Sequence, residues 1–336
     1  MKALIIILLA LLIAGGIIFS FFYQTEKQFL NPLSEGRTKS IDKDRQEKDL
    51  FLSKYTFTNL AARELESSEV ILERVMVEEE EYTSYLFSYQ TEGKKVTGML
   101  NLPKNQVGKL PVVIMLRGYA DDSIYFTGLG TRKAAGELAK AGFITFAPDF
   151  LGFGGSDTPV ADILEARFQR PLTVLSLLEA VETFPLASSQ NLFLWGHSNG
   201  GQIALSVLEI TQRDLPTVLW APVTSGFPEC VLYYMGELDD QGIKVKKAID
   251  RFVEDYQGED FSVDSHYELI NASIQVHQGL WDPLIPEEWT QDFLKQMENL
   301  DKRVEYFEYP KADHNLVPDW DEVMERSLSF FSRHLR

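Results

Sequence analysis

The sequence predicts an α/β fold in which a mostly parallel sheet is covered by helices on both faces. From residue 110 onward, apolar stretches of strand length alternate with stretches of helix length, a pattern typical of parallel sheets. Leu110–Leu116 is a nearly continuous apolar run with β-branched residues, as expected for a strand buried on both faces. The chain is 45% hydrophobic and 24% charged, which is the composition of a globular protein.

The first element along the chain is an apolar run at the N-terminus. Between Leu4 and Phe22 only Gly15, Gly16 and Ser20 interrupt the strongly apolar residues, and about 19 such residues are enough for one transmembrane helix. A cleaved signal peptide is the alternative, but its apolar region usually spans only about 7–15 residues. We therefore predict a transmembrane signal-anchor over residues 1–22.

The expected orientation of this anchor follows from how single N-terminal spans are most often inserted, because the charges beside it are not decisive. Lys2 precedes the run, and Lys27, Arg37 and Lys39 follow it, so the distribution of positive charge does not decide the topology. A single N-terminal span most often exports the domain that follows it. We expect the large domain to be extracytoplasmic.

Residues 23–50 are polar and lack periodicity, which predicts a solvated tether. The remaining chain, 51–336, is predicted to form one domain. It opens with three short strands, Ser68–Val77, Tyr82–Gln90 and Lys94–Leu102, and the turn Thr91–Gly93 joins the last two into a hairpin.

The alternating part of the chain follows. Its predicted strands are Leu110–Leu116, Phe143–Pro148, Asn191–Trp195, Thr217–Trp220, Ser273–His277 and Val304–Tyr309. Its predicted helices are Thr131–Ala141, Ala161–Phe184 with an interruption near Pro171, Gly200–Gln212, Glu287–Glu298 and Asp321–Leu335. Residues 223–272 fit neither period and predict an inserted cap, whose aromatic side chains could line a substrate pocket or form the core of the cap.

Charge and cysteine content exclude several classes of protein. The net charge of −18 opposes binding to nucleic-acid phosphates and points to neutral or cationic ligands. Cys230 is the single cysteine, so no internal disulfide can form, and no Cys/His cluster has the spacing of a structural zinc site.

The most specific motif is Gly196-His197-Ser198-Asn199-Gly200-Gly201, which lies between a predicted strand and a predicted helix. This G-x-S-x-G pattern in a strand–turn–helix context predicts a strained turn that exposes the Ser198 hydroxyl. Gly196 and Gly200 are required because side chains there would collide with the neighbouring strand and helix. The Asn199 amide, at a helix N-terminus, can donate to a developing oxyanion.

A serine hydroxyl needs a general base to act as a nucleophile. His314 stands in a polar loop directly after the strand Val304–Tyr309, at the sheet edge where Ser198 is expected. His197 is predicted to be structural and to point away from the serine, and His277 to be a core residue. We therefore predict His314 as the base.

The base needs an acid to orient it. Asp282 follows the strand Ser273–His277 and is well placed to accept from one imidazole nitrogen of His314. Asp313 is the rival, but its adjacency to His314 directs its side chain elsewhere. The chain order Ser198, Asp282, His314 is that of one fold in particular.

Residues from about Lys94 to Arg336 resemble an α/β-hydrolase, and more narrowly the catalytic domain of the prolyl-oligopeptidase (S9) family and its dienelactone-hydrolase-like relatives. The stretches that carry the resemblance are Thr97–Pro103, Trp195–Gly201, His277–Pro286 and Tyr309–Asn315. The resemblance implies Ser198 as nucleophile, His314 as base and Asp282 as acid, with no metal or cofactor. It also implies an oxyanion hole formed by the Asn199 amide and by Tyr119, through its backbone amide or its hydroxyl.

This chain departs from the family pattern at two places. Arg117 stands where the loop after the first buried strand usually carries histidine, and the roughly 70 residues between the anchor and the catalytic core leave no room for a β-propeller. We therefore expect a membrane-anchored serine hydrolase that cleaves a carboxylic ester or amide in a small molecule. A peptidase acting on short peptides is the alternative, and a non-catalytic binding module is the alternative from another class.

Overall fold

The computed structural model describes residues 50–66, 68–105, 107–237 and 240–336. Within those ranges no helix combines the length and the apolar character needed to cross a membrane. The predicted anchor (1–22) and all but the last residue of the predicted tether (23–50) lie outside the described residues.

The described chain forms one nine-stranded sheet in the order β1-β2-β3-β5-β4-β6-β7-β8-β9. Strands β5, β4, β6, β7, β8 and β9 are parallel, and β1, β2 and β3 join the sheet antiparallel. The strand bounds are β1 Ile71–Glu78, β2 Tyr82–Thr91, β3 Lys94–Pro103, β4 Leu110–Leu116, β5 Ile144–Pro148, β6 Ala187–His197, β7 Thr217–Trp220, β8 Ile274–Gly279 and β9 Val304–Tyr309. The mostly parallel sheet predicted from the sequence is confirmed.

Helices cover both faces of this sheet. The helix bounds are α1 Phe57–Ala61, α2 Arg132–Lys140, α3 Ile163–Glu182, α4 Asn199–Thr211, α5 Glu229–Tyr233, α6 Ile243–Asp255, α7 Glu287–Asn299 and α8 Trp320–Arg333, with 3-10 turns at Phe51–Tyr55, Asp122–Ile124, Met235–Glu237, Gly258–Phe261, Val263–Ser265 and Tyr267–Leu269. Side chains of β4 alternate between two apolar cores, so that Val113 packs with α2 and α8 while Val112 packs with α3, α4 and α7. This burial on both faces is why the strand reads as a continuous apolar run.

Helix α3 runs through Pro171 without a break, and the interruption predicted there is wrong. Proline inside a helix lacks an N–H donor and costs about 3 kcal/mol relative to alanine. Most residues of α3 from Phe168 to Val181 are buried, and this packing outweighs the local cost. The short helices between Phe51 and Ala61 were not predicted at all.

The segment 223–272, called the inserted segment from here on, connects β7 to β8 and contains α5, α6 and the last four 3-10 turns. Its side chains Phe227, Phe252 and Phe261 contact one another and Phe168 of α3, with ring centroids 4.6–5.7 Å apart. Most of its aromatic residues therefore form a local core. This is the second of the two alternatives given for them, the first being that they line a substrate pocket. This core fixes the inserted segment against α3.

Candidate active site

The loops that follow β4, β6 and β9 meet at the carboxyl edge of the parallel sheet. Tyr119, Ser198 and His314, one from each loop, line a cavity of about 720 Å³. The inserted segment contributes Val223, Cys230, Val231, Tyr234 and Val245 to the wall of the same cavity. In α/β sheets this edge is the usual place for a ligand.

Ser198 has a strained backbone, with φ 56° and ψ −123°. Residues other than glycine rarely adopt this combination of angles. Hydrogen bonds on both sides hold it there. Its N–H donates to the Trp220 carbonyl at 3.0 Å, and its own carbonyl accepts from the amides of Gly201 and Val223 at 2.9 and 3.1 Å. The turn therefore presents the Ser198 side chain at the N-terminus of α4, on the cavity wall.

The two glycines of this turn have no space for a side chain. A Cβ at Gly200 would lie 1.9 Å from the Leu116 carbonyl oxygen of β4, and one at Gly196 would lie 2.6 Å from the carbonyl oxygen of Gly200. Real Cβ atoms do not approach backbone atoms so closely. The crossing of β6 and α4 beside β4 thus depends on both glycines.

His314 and Asp282 form a hydrogen-bonded pair, with 2.8 Å between His314 Nδ1 and Asp282 Oδ2. The Asp282 side chain is 1% exposed, and its Oδ1 accepts from the amides of Leu284 and Ile285 at 2.8 and 3.1 Å. Burial alone raises the pKa of this carboxyl, but the hydrogen bond and charge of His314 together with the two amides outweigh burial and lower the pKa. Asp282 is therefore an anion at neutral pH, held against one nitrogen of His314.

The rival carboxylate, Asp313, is engaged elsewhere. Its Oδ1 accepts from the amides of Asn315 and Val317 at 2.9 and 3.0 Å, so it shapes the loop that carries His314. Ser198 and His314 share the cavity wall, but within the described ranges the Ser198 hydroxyl makes no hydrogen bond. Such bonds commonly tighten only when substrate binds.

His197 packs beside His314. Its Nε2–H donates to the backbone carbonyl of His314 at 2.8 Å, and the two imidazole rings have centroids 4.7 Å apart. Burial, with the charge of His314 as a smaller cause, lowers the pKa of His197 to about 4. His197 thus stays neutral near pH 7 and supports the backbone of His314, a contact that the sequence pattern did not indicate.

Two backbone amides close to Ser198 are available as donors. The N–H groups of Asn199 and Tyr119 donate to no acceptor in the part of the chain that the structure describes, and Asn199 is the first residue of α4, where helix amides are normally unpaired. The Tyr119 side chain is 75% exposed. A Cβ at the preceding Gly118 would lie 2.9 Å from Ser198 Cβ, so this loop packs directly against the serine.

Arg117 lies beneath the same loop. Its Nη1 donates to the Gly118 carbonyl at 2.9 Å and its Nη2 to the Asp149 carbonyl at 3.0 Å. The guanidinium lies over the rings of Phe153, Tyr125 and Phe150, 4.2–5.6 Å from their centroids. Arg117 thus connects the loop to Asp149, the residue that directly follows β5.

Among the described residues, no group of three or more histidine, cysteine, aspartate or glutamate side chains is arranged to hold a metal ion. The two histidines nearest Ser198 are each committed to a hydrogen bond with protein.

Comparison with known proteins places the fold. A family model for the alpha/beta hydrolase fold matches residues 111–216, which include β4, β5, β6 and the serine turn. No curated protein matches the sequence of the chain.

Solved structures of hydrolases resemble the whole described unit. Acetyl xylan esterase 1 from a Thermoanaerobacterium species shares 17% identity over 85% of this chain and 94% of its own, with a TM-score of 0.64. An acetyl xylan esterase from a Paenibacillus species shares 19% over 87% of this chain and 96% of its own, with a TM-score of 0.60. A putative dipeptidyl aminopeptidase IV from Bacteroides ovatus shares 16% over 76% of this chain but only 36% of its own, with a TM-score of 0.59.

Proposed function

We propose that this chain, which has the α/β-hydrolase fold, is a serine hydrolase that cleaves a carboxylic ester through an acyl-enzyme on Ser198. The observation that carries the proposal is the 2.8 Å hydrogen bond between His314 and the buried Asp282, on a cavity that His314 shares with Ser198. Ser198 has the strained backbone of a nucleophile turn. The three residue types in this arrangement supply a nucleophile, a base and an orienting acid.

The chemistry follows from the positions of these groups. His314 Nε2 removes the proton of the Ser198 hydroxyl as the oxygen attacks the ester carbonyl, and Asp282 stabilises the imidazolium that forms. The amides of Asn199 and Tyr119 stabilise the oxyanion of the tetrahedral intermediate. His314 then protonates the leaving alcohol, and in the second half of the cycle it activates the water that releases the acid.

Arg117 supports the Tyr119 amide as a donor. The carbonyl and the N–H of a trans peptide point in opposite directions, and Arg117 holds the Gly118 carbonyl on its own side. The N–H of Tyr119 is therefore directed away from Arg117, beside the Cα of Gly118 that packs on Ser198. In this proposal Arg117 is a positioning residue that acts through the backbone of the loop.

Arg117→Met should lower kcat on a neutral ester by about tenfold to a hundredfold, with KM changed less than about threefold, because a misplaced oxyanion donor weakens only the transition state. Arg117→Lys keeps a hydrogen-bond donor on a shorter side chain, so its kcat should lie between those of Arg117→Met and the wild type. Steady-state kinetics on p-nitrophenyl butyrate measure both. A folded Arg117→Met variant with unchanged kcat would remove Arg117 from the oxyanion hole.

An ester is favoured over a peptide by the extent of the structural likeness. The chain matches nearly the full length of the two esterases but only 36% of the dipeptidyl aminopeptidase. A peptidase acting on short peptides remains the second candidate, since the same groups cleave amides. Turnover of an ester and an amide with the same acyl group distinguishes the two.

Labelling with a fluorophosphonate probe tests the proposal. The folded protein should become labelled at Ser198, located by mass spectrometry of peptides, and heat-denatured protein should not. Absence of labelling in protein whose fold is shown by circular dichroism would instead favour the non-catalytic binding module.

The apolar run at residues 4–22 supports the further proposal that the enzyme is anchored in a membrane. Full-length protein should then remain in the membrane pellet after extraction with alkaline carbonate, whereas a chain that begins at Tyr23 should be released. Release of the full-length protein would argue against the anchor.

A further inference from the structure

Two arginines of α3 line the cavity that holds Ser198. Arg167 and Arg170 are on its wall, together with Arg117. The cavity wall includes one carboxylate, Asp121, which is exposed and accepts hydrogen bonds from the amide and hydroxyl of Ser123. Three arginines and one carboxylate thus line the cavity, although the whole chain carries a net charge of −18.

Arg170 has no counter-charge among the residues that the structure describes. Its guanidinium makes no hydrogen bond and no ion pair with the residues that the structure describes. Burial, then the positive charges of Arg167 and Arg117, lower its pKa to about 10, so Arg170 is still cationic at neutral pH. Arg170 is half-buried against the cavity. A partly desolvated charge without a partner is costly, and this cost is relieved when an anion binds beside it.

Arg167 is held in position by neutral groups. Its Nη2 donates to Gln202 Oε1 and to Cys230 Sγ, and Gln202 is fixed in turn by its own donation to the Ser225 carbonyl at 2.8 Å. A guanidinium carries five N–H donors, so Arg167 keeps donors for a ligand. Its orientation is set before a ligand arrives.

Burial distinguishes these two positions from most other arginines. Several arginines form ion pairs with glutamate or aspartate, namely Arg63, Arg213, Arg326, Arg333 and Arg336. Among the described arginines without an ion pair, Arg74, Arg132, Arg251 and Arg303 are exposed to solvent, whereas Arg167 and Arg170 are half-buried on the cavity wall. The net charge of −18 led us to expect a neutral or cationic ligand, whereas these two arginines favour an anionic one.

We propose that Arg167 and Arg170 form an anion subsite, and that the substrate of this hydrolase is an ester that carries a carboxylate in addition to the scissile bond. This inference rests on the proposed function for the scissile ester, but the subsite itself is a binding property. Two planar guanidinium groups suit a carboxylate because each presents paired N–H donors to its oxygens.

A matched pair of substrates tests the subsite. Mono-p-nitrophenyl succinate carries a free carboxylate, and its methyl ester has nearly the same shape without the charge. The ratio of kcat/KM for the charged over the neutral substrate should be about ten or more in the wild type, the range expected for one charge-assisted hydrogen-bonded contact. Arg170→Met and Arg167→Met should each reduce this ratio by about tenfold, and Arg170→Lys should reduce it less.

Arg213→Met serves as the control variant. Arg213 pairs with Glu182 on the surface, away from the cavity wall, so the ratio should stay at the wild-type value. Melting curves check that each variant folds, and if Arg170→Met does not, Arg167→Met and Arg170→Lys carry the comparison.

Calorimetric titration with succinate measures the subsite without turnover. The wild type should bind succinate, and Arg170→Met should bind it at least about tenfold more weakly. A wild-type ratio near one, or no succinate binding, would overturn the subsite, as would a ratio that Arg170→Met leaves unchanged. Protein that binds succinate but cleaves neither ester would instead reject the proposed function and leave the subsite standing.

Discussion

Ser198→Ala should abolish fluorophosphonate labelling and lower kcat on p-nitrophenyl butyrate by about 10⁴-fold or more. The reason is that the acyl-enzyme route is lost entirely, whereas the cavity and the amides of Asn199 and Tyr119 remain. KM should change little, because the methyl group of alanine fits where the serine Cβ lies. The residual rate measures what the oxyanion donors and binding contribute on their own.

Ser206→Ala is the matched control for this variant. Ser206 belongs to the same helix α4, and its hydroxyl donates back to the Gln202 carbonyl at 3.0 Å, so its loss removes one local hydrogen bond and no reacting group. Its kcat should stay within about twofold of the wild type. Equal turnover by Ser198→Ala and wild type would exclude Ser198 as the nucleophile.

Asp282→Asn should lower kcat by about 10³- to 10⁴-fold. Asparagine keeps an oxygen for the amides of Leu284 and Ile285, so the loop is expected to fold. It removes the negative charge that stabilises the imidazolium of His314. The amide of asparagine also permits the ring to adopt the wrong tautomer, with the proton on the nitrogen that should act as base. Steady-state kinetics and a melting curve separate the catalytic loss from any loss of stability.

Asp313→Asn tests the rival assignment directly. Asp313 Oδ1 accepts only backbone amides of its own loop, and asparagine can do the same. Its kcat should stay within about threefold of the wild type. The reverse result, a large loss for Asp313→Asn and a small one for Asp282→Asn, would reassign the orienting acid.

Sequence patterns located the sheet and its helices because these elements bury apolar residues with regular periods. β4, β7 and β9 begin and end at the predicted residues. β4 and β7 are short, mostly apolar runs, and β9 is a short run rich in aromatic and β-branched residues. Pro171 misled the prediction because the cost of an interior proline is local, whereas the packing that outweighs it comes from distant parts of the chain. The helices between Phe51 and Ala61 are too short to show a period.

The positions of Ser198, Asp282 and His314, after β6, β8 and β9, could be anticipated because parallel strands have their carboxyl ends at one edge of the sheet. The contact of His197 with the His314 carbonyl could not, because it joins residues 117 positions apart through a backbone atom. Arg167 and Arg170 gave no signal in the sequence. They are three residues apart on a helix, which is also the pattern of ordinary surface charges. Only the structure shows that both line a cavity to which the inserted segment contributes part of the wall.

The inserted segment is fixed to α3 through the aromatic contacts of Phe168, one residue from Arg167. The groups proposed to react stand instead on loops of the sheet, where Gly196 and Gly200 leave no room for variation. The residues proposed to select the substrate are therefore held by α3 and the inserted segment, and the residues proposed to react are held by the loops of the sheet. For protein engineering, we expect that substitutions on the cavity side of α3 and in the inserted segment change which ligands the cavity accepts, while the loops that carry Ser198 and His314 keep their sequence.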